Sequence, residues 1–315
     1  MEKIIITGGS GTVGSSFIEN NVGKYEIFSY ARNEKSQVAL KRLFPGVNIV
    51  LGAIEDKINF ENVVRKINPG IIIHTAALKH VDSAEKQPLE MVKTNILGSK
   101  NIVDTSLKLN IPITIGISTD KACEPKNMYG YSKLIMERMF LEANNKKNIF
   151  CCTRFGNVSG SSGSVIPFWL NLKWKGDSLP LTDLGMNRLM INRKDSSAII
   201  ERCILEAKKK NGGFVLSKKM KSVIMHELAK LISEDINLIG VRPGEGLNEI
   251  LISNSELPFT KVDKDYIFIY RKINNDLKSR LDKPISSDKS SKMNKKELLE
   301  IIEEVKDQLN NSLMY

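Results

Sequence analysis

The sequence predicts an α/β fold, a doubly wound parallel sheet with a smaller C-terminal lobe, and three observations predict it. Between Met1 and about Phe155, short β-branched apolar runs alternate with amphipathic segments of helix length. A glycine cluster follows the first apolar run directly. After Phe155 the alternation stops, and Gly and Ser crowd Gly156–Ser164. Strict βα alternation needs a parallel sheet covered by helices on both faces, because each crossover lays a helix on the sheet.

The predicted strands, in order, are Lys3–Thr7, Glu26–Tyr30, Asn48–Leu51, Ile71–Thr75, Ile113–Ser118 and Ile149–Arg154. Beyond them, helical periodicity marks Lys194–Lys209 and Met225–Glu234, and Val241-Arg242-Pro243-Gly244 reads as a loop. The Ser- and Lys-rich Ile285–Lys292 reads as an exposed connector. Lys295–Leu309 reads as a terminal amphipathic helix with Leu298, Leu299, Ile302 and Val305 on one face. Residues 1–155 are therefore expected to form mainly the sheet domain, and 156–315 mainly the second lobe.

Composition narrows the function. A 315-residue chain with 41% hydrophobic residues can build a sizeable core without metals or disulfides. Cys123, Cys151, Cys152 and Cys203 form no CxxC pair and read as reduced core thiols. The chain enters Ile4-Ile5-Ile6 without a charged leader, and no apolar run reaches bilayer length. A cytoplasmic protein without a membrane span is expected. The net charge of +11 comes from scattered lysines without interleaved aromatics. That favours a solvated basic face and an anionic small substrate over nucleic acid. His74, His80 and His226 show no grouping with cysteines or carboxylates, so no metal is expected.

The first strand ends in Thr7-Gly8-Gly9-Ser10-Gly11-Thr12-Val13-Gly14, with Gly8, Gly11 and Gly14 at GxxGxxG spacing. The first glycine permits a tight strand-to-helix turn, the second admits a pyrophosphate to the backbone N–H groups, and the third lets the helix pack closely. Such a loop after an N-terminal buried strand predicts a Rossmann-type dinucleotide site. At the end of the second strand, Arg32 suits a 2′-phosphate and favours NADP, while nearby Glu34 keeps NAD open.

The fifth strand delivers Ser118-Thr119-Asp120-Lys121 at its carboxyl end, where open parallel sheets bind ligands. Tyr129 and Lys133 follow at i and i+4, on one helix face. An ammonium beside a phenol lowers its pKa, which predicts Tyr129 as a base near neutral pH.

Together these residues resemble an extended short-chain dehydrogenase/reductase. More closely, Ala76-Ala77-Leu78-Lys79-His80-Val81, Lys93-Thr94-Asn95, Ser118-Thr119-Asp120-Lys121-Ala122, Thr153-Arg154-Phe155-Gly156-Asn157, Gly163-Ser164-Val165-Ile166-Pro167 and Arg242-Pro243-Gly244-Glu245 resemble the UDP-N-acetylglucosamine 4,6-dehydratases of bacterial surface-sugar synthesis. The resemblance covers about Lys3 to Ile252.

It implies a hydro-lyase whose tightly bound NADP or NAD is recycled within each turnover. Hydride leaves C4 of the sugar while Tyr129 takes the hydroxyl proton. Lys121 as base and Asp120 as acid eliminate water across C5 and C6, with Thr119 on the C4 oxygen or the transferred proton, and hydride returns to C6. The resemblance places the cofactor on Gly8, Ser10, Gly11, Thr12, Val13, Gly14, Arg32, Ala76, Ala77, Lys79, Asn95, Tyr129 and Lys133. It places the UDP-sugar on Lys79, His80, Thr119, Asn157, Ser164, Val165, Pro167, Arg188, Arg242 and Glu245. It also implies a homo-oligomer.

Three positions depart from the pattern. Ser162 stands where C5-inverting members commonly carry Arg, whereas Tyr129 stands where retaining members often carry Met. Weighed together, these lean toward a configuration-retaining product, with C5 inversion as the alternative. Ala53 replaces an Asp that usually contacts adenine in such folds. A nucleotide-sugar 4-epimerase would share the cofactor loop and YxxxK without needing the Asp-Lys pair. A non-catalytic NADP-sensing regulator would keep the cofactor loop but would not be expected to keep Tyr129, Lys133, Asp120 and Lys121 together.

Overall fold

A computed structural model describes residues 1–161, 163–272 and 279–313. Six parallel strands form its centre: β1 (Lys3–Thr7), β2 (Glu26–Ala31), β3 (Asn48–Leu51), β4 (Ile71–His74), β5 (Ile113–Thr119) and β6 (Ile149–Phe155). Their spatial order is β3-β2-β1-β4-β5-β6, so the order reverses between β1 and β4 and opens a crevice at the strand carboxyl ends. Ile4, Ile5, Ile6 and Ile71 to Ile73 are fully buried, as expected of inner strands covered on both faces. Helices Thr12–Asn21 and Arg193–Lys208 pack together, the latter also lying on β5 and β6. Lys57–Ile67, Gly98–Lys108 and Met128–Ala143 form a second packed series. The neighbours Cys151 and Cys152 point to opposite faces of β6; Cys151 Sγ lies 3.0 Å from Cys203 Sγ, and all four cysteines are free and buried.

The sheet does not end where the alternation ends. Phe214–Lys218 pairs parallel with β6, and the hairpin Thr260–Asp263/Tyr266–Tyr270 adds two antiparallel strands, giving nine in all. The later half of the chain therefore contributes to both units. The second lobe holds a three-stranded sheet of Asn157–Val158, Asn187–Ile191 and Lys221–Ile224. Its own core gathers Trp169, Leu170, Leu228, Ile302 and Val305.

Two readings of the C-terminal region need correction. Within Ile285–Lys292, Ile285–Ser286 pairs with Ile250–Ile252, and Ser287 is fully buried. The start of that stretch is an ordered brace rather than an exposed connector, because the Ser286 and Ser287 hydroxyls are small enough to be satisfied inside the fold; Asp288, Lys289, Ser291 and Lys292 are exposed as expected. The terminal helix, Lys295–Leu313, buries Leu298, Ile301, Ile302 and Val305, but Leu299 is 40% exposed. Spacing of three and four from Leu298 selects Ile301, Ile302 and Val305, and places Leu299 at the edge of the stripe.

Candidate active site

The crevice holds a cleft of about 410 Å³ where β1, β4, β5 and β6 end. Gly8, Gly11, Thr12 and Val13 line one wall. Gly8 has φ of 71°, and a Cβ there would lie 2.8 Å from the Ala76 backbone, so the turn and its approach to β4 both require glycine. Thr75 Oγ1 fixes the turn by donating to the carbonyls of Thr7 and Gly8 at 2.7 and 3.0 Å. The helix Thr12–Asn21 opens on this wall without an acidic residue in its first turn, which suits a diphosphate. Gly14 is buried in the packing beneath, and Ser10 is half-buried but off the cleft wall.

A side pocket of about 160 Å³ continues from Gly8 and Ala76 to Arg32, Ala53 and Glu55. Arg32 Nη1 lies 3.7 Å from Glu55 Oε1 and its side chain is 62% exposed, so the guanidinium stands at the pocket mouth. A glycine turn, a helix N-terminus and a flat side pocket between the ends of β2 and β3 together fit a dinucleotide. Ala76 and Ala77 line both cavities. Asn95 does not line either one. It is buried beneath and clamps Leu78, accepting from its N–H and donating to its carbonyl at 2.8 Å, while also donating to Ser132 Oγ. An amide with paired donor and acceptor satisfies a loop backbone well, so Asn95 shapes the Ala76–Lys79 wall from behind.

The opposite wall carries Ser118, Thr119, Lys121, Tyr129 and Lys133. The tyrosine helix, Met128–Ala143, begins at Asn127, whose Oδ1 accepts from Gly130 N–H at 2.8 Å. Gly130 permits the contact that assembles the wall: a Cβ there would lie 2.2 Å from the Lys121 carbonyl oxygen. Asp120 is completely buried behind the wall. Its Oδ1 accepts from Thr119 Oγ1 at 2.9 Å and meets Lys121 Nζ at 3.3 Å, while Oδ2 has no partner.

The electrostatics differ from the expected pair. Burial pushes the Tyr129 phenol up to about 12, opposed by Lys121 and by a hydrogen bond with Thr119. Lys133 does not lower it. The Lys133 ammonium is buried, with Met136 Sδ at 3.4 Å, and desolvation draws it down to about 8. The cation that acts on Tyr129 is Lys121. Tyr129 and Lys133 share a helix face as their spacing requires, but a shared face does not fix side-chain contact.

On the sugar side, Lys79, His80, Asn157 and Ser164 line the cleft. Val165 begins the helix Val165–Lys175, and Pro167 is buried within it rather than exposed to the cleft. Arg188 is buried, donating to the carbonyls of Asn187 and Leu247 and lying 3.5 Å from Glu245. Arg242 is exposed on its loop and is not on the cleft wall. Among the described residues, no group of three or more His, Cys, Asp or Glu could hold a metal. His74 belongs to the core: its ring nitrogens meet Thr7 Oγ1 and Ser99 Oγ at 2.7 and 2.9 Å, and burial holds it neutral, near 3. Ser162 lies outside the described residues.

Sequence reasoning missed Glu249, whose Oε1 lies 3.3 Å from Lys121 Nζ. It also missed the core network in which Arg154 forks onto Glu137 at 3.0 and 2.7 Å and reaches Glu256 at 2.9 Å. None of these three glutamates has a sequence neighbour that marks it.

A model of the family described as polysaccharide biosynthesis protein matches residues 4–271. A UDP-N-acetylglucosamine 4,6-dehydratase (inverting) of Campylobacter jejuni is 35% identical, covering 85% of this chain and 82% of that protein. A UDP-glucose 4-epimerase of Rickettsia rickettsii is 29% identical over 84% and 82%. The crystal structure of Pen from Bacillus thuringiensis has a TM-score of 0.88 at 27% identity, covering 97% of this chain and 98% of that one. A dTDP-glucose 4,6-dehydratase from Streptomyces venezuelae, solved with NAD bound, shares the fold with a TM-score of 0.70 at 20% identity over 78% and 86%.

Proposed function

From the premise that this chain belongs to the polysaccharide biosynthesis protein family, we propose that it dehydrates UDP-N-acetylglucosamine to a UDP-4-keto-6-deoxy-N-acetylhexosamine. The observation that carries this reading is the single wall bearing Thr119, Lys121, Tyr129 and Lys133, with Asp120 behind Thr119. A 4-epimerase needs the last two of these and has no use for an acid–base pair beside C5 and C6.

The wall of Gly8, Gly11, Thr12 and Val13 and the side pocket at Arg32 and Ala53 would hold NAD or NADP, which would supply a hydride acceptor for C4 and a hydride donor for C6. Tyr129 accepts the C4 hydroxyl proton. Its phenol starts high, so the positive Lys121 nearby does necessary work in favouring the phenolate. The resulting ketone acidifies C5–H; Lys121 passes its own proton to Asp120 across their 3.3 Å contact, and the neutral amine so formed removes the C5 proton. The proton that Asp120 has taken from Lys121 passes through the Thr119 hydroxyl, which touches both the carboxyl group and the cleft, and the C6 hydroxyl leaves as water; Lys121 returns a proton to C5 when hydride is restored at C6. Lys133 holds the cofactor ribose, Lys79 and Asn157 meet the diphosphate or sugar, and the Arg188–Glu245 pair supports the uridine end.

Tyr129 and the named activity of the Campylobacter relative favour inversion at C5, reversing the lean toward retention drawn from Ser162. No helix among the described residues is long and apolar enough to cross a membrane, and the enzyme works in the cytoplasm, where nucleotide sugars and reduced thiols occur. It self-associates: Leu89, Leu97, Tyr131 and Ile135 are exposed on the adjoining segments Pro88–Leu97 and Met128–Ala143.

The test is NMR of the product formed in deuterated water. The expected product is a 4-keto-6-deoxy sugar carrying deuterium at C5 with inverted configuration. UDP-N-acetylgalactosamine as sole product would sink dehydration, and retained configuration would sink inversion alone.

A further inference from the structure

Lys121 is held by two carboxylates, and the second comes from a distant part of the chain. Its Nζ lies 3.3 Å from Asp120 Oδ1 and 3.3 Å from Glu249 Oε1. The three side chains are 15%, 0% and 13% exposed, so this cluster is largely shielded from water. Glu249 precedes the strand Ile250–Ile252, and its backbone is fixed from both directions. Its N–H donates to Ser287 Oγ at 3.0 Å, and its carbonyl accepts from Ser287 N–H at 2.9 Å. Ser287 Oγ donates in turn to the Asn187 carbonyl at 3.1 Å, and the Ser287 carbonyl accepts from Lys292 Nζ at 2.8 Å. The C-terminal brace thus ends at the lysine of the cleft.

We propose that Glu249 is a positioning residue for the C5 base: its carboxylate fixes Lys121 Nζ beside the cleft and governs when that amine is free to take the C5 proton. This rests on the reading of Lys121 as the base. A free lysine side chain samples many rotamers, and a base must sit within reach of one carbon. Asp120 alone cannot supply a defined position, because it lies on the adjacent residue behind the wall and also accepts from Thr119. Glu249 meets the ammonium from a separate element and completes a two-point hold.

The charges facing Lys121 are Asp120 from its own turn, Glu249 from the start of the strand Ile250–Ile252, Arg188 from Asn187–Ile191, and the Tyr129 phenol from the tyrosine helix. Burial pulls the Lys121 pKa down, but Asp120 and Glu249 outweigh burial and Arg188, so it stands above its ordinary value. Proton release from Lys121 is therefore restrained by the same carboxylate that aims it. Glutamine at 249 keeps an oxygen for the lysine to donate to and removes the charge. Aspartate keeps the charge and withdraws it by one methylene.

The experiment compares pH profiles of kcat and KM for the full chain with UDP-N-acetylglucosamine, in Glu249→Gln, Glu249→Asp, Lys121→Ala and the unsubstituted protein. For Glu249→Gln, the limb on which activity rises with pH moves down by about one pH unit, with KM within about twofold. For Glu249→Asp, that limb stays in place while kcat falls roughly tenfold, because the base is displaced. An unmoved limb in Glu249→Gln beside an inactive Lys121→Ala overturns the role of Glu249 alone. Full activity in Lys121→Ala overturns the assignment of the base itself. Should Glu249→Gln fail to fold, Glu249→Asp decides: a limb displaced despite the retained charge refutes the proposal.

Discussion

Replacing Gly130 by alanine should slow turnover about a hundredfold while leaving the fold intact. The helix at this point has no positive φ, so alanine suits the backbone and would by propensity stabilise the helix by about 1 kcal/mol. The obstacle is tertiary. The new Cβ would lie 2.2 Å from the Lys121 carbonyl oxygen and 3.0 Å from Pro125 Cβ, whereas real Cβ atoms essentially never approach closer than 3.0 Å. Lys121 or the start of the tyrosine helix must therefore retreat by about 0.8 Å or more, and both carry reacting groups. A misplacement near 1 Å between catalytic groups costs about 10²-fold. Steady-state kinetics on UDP-N-acetylglucosamine should show kcat lowered by that factor, with KM little changed because the diphosphate wall is untouched. Thermal unfolding should show only a modest loss, since the clash and the helix gain partly cancel. A variant with kcat within threefold of the parent and an undiminished Tm would refute the close packing of the two segments, and with it the geometry assigned to the wall.

Lys133→Met should stabilise the protein at pH 7 and abolish turnover. The ammonium titrates near 8 in the fold against 10.5 unfolded, so between those values the unfolded chain binds the extra proton. Stability from this group is complete above about 10.5 and is lost as pH falls through 8, by about 3 kcal/mol at most. Urea unfolding at pH 7 and pH 10 should show the methionine variant's advantage shrinking at the higher pH; a variant less stable at pH 7 would contradict the burial of that charge. Arg154→Met should cost about 3 kcal/mol or more, because it leaves the carboxylates of Glu137 and Glu256 buried and uncompensated. The measurement is the urea midpoint, and a cost below about 1 kcal/mol would mean that water already reaches the network.

The boundaries of the six central strands were legible within a residue or so, because inner strands read as unbroken β-branched runs and end at turn residues. Phe214–Lys218 and the hairpin at 260–270 were not legible. Their pairing is set by what lies beside β6 in space, and no local period encodes it. The candidate site divides in the same way. Residues placed by a strand end or a helix face, such as Thr119, Lys121, Tyr129 and Lys133, stand on the cleft wall. Of the residues placed only by motif, Lys79, His80, Asn157 and Ser164 also line the cleft, whereas Asn95, Pro167 and Arg242 stand behind it, inside a helix or on an outer loop.

The sequence by itself determined the six central strands, the glycine turn and the stretch from Ser118 to Lys133, because each follows from local spacing along one strand or helix. Only the tertiary structure decided which charge faces which. Lys133 turned out buried against Met136, Lys121 became the cation beside Tyr129, and Glu249 reached Lys121 through the Ser287 brace. The physical reason is that a pKa or an ion pair depends on groups within a few ångströms in space, and the chain brings those together from segments far apart in sequence.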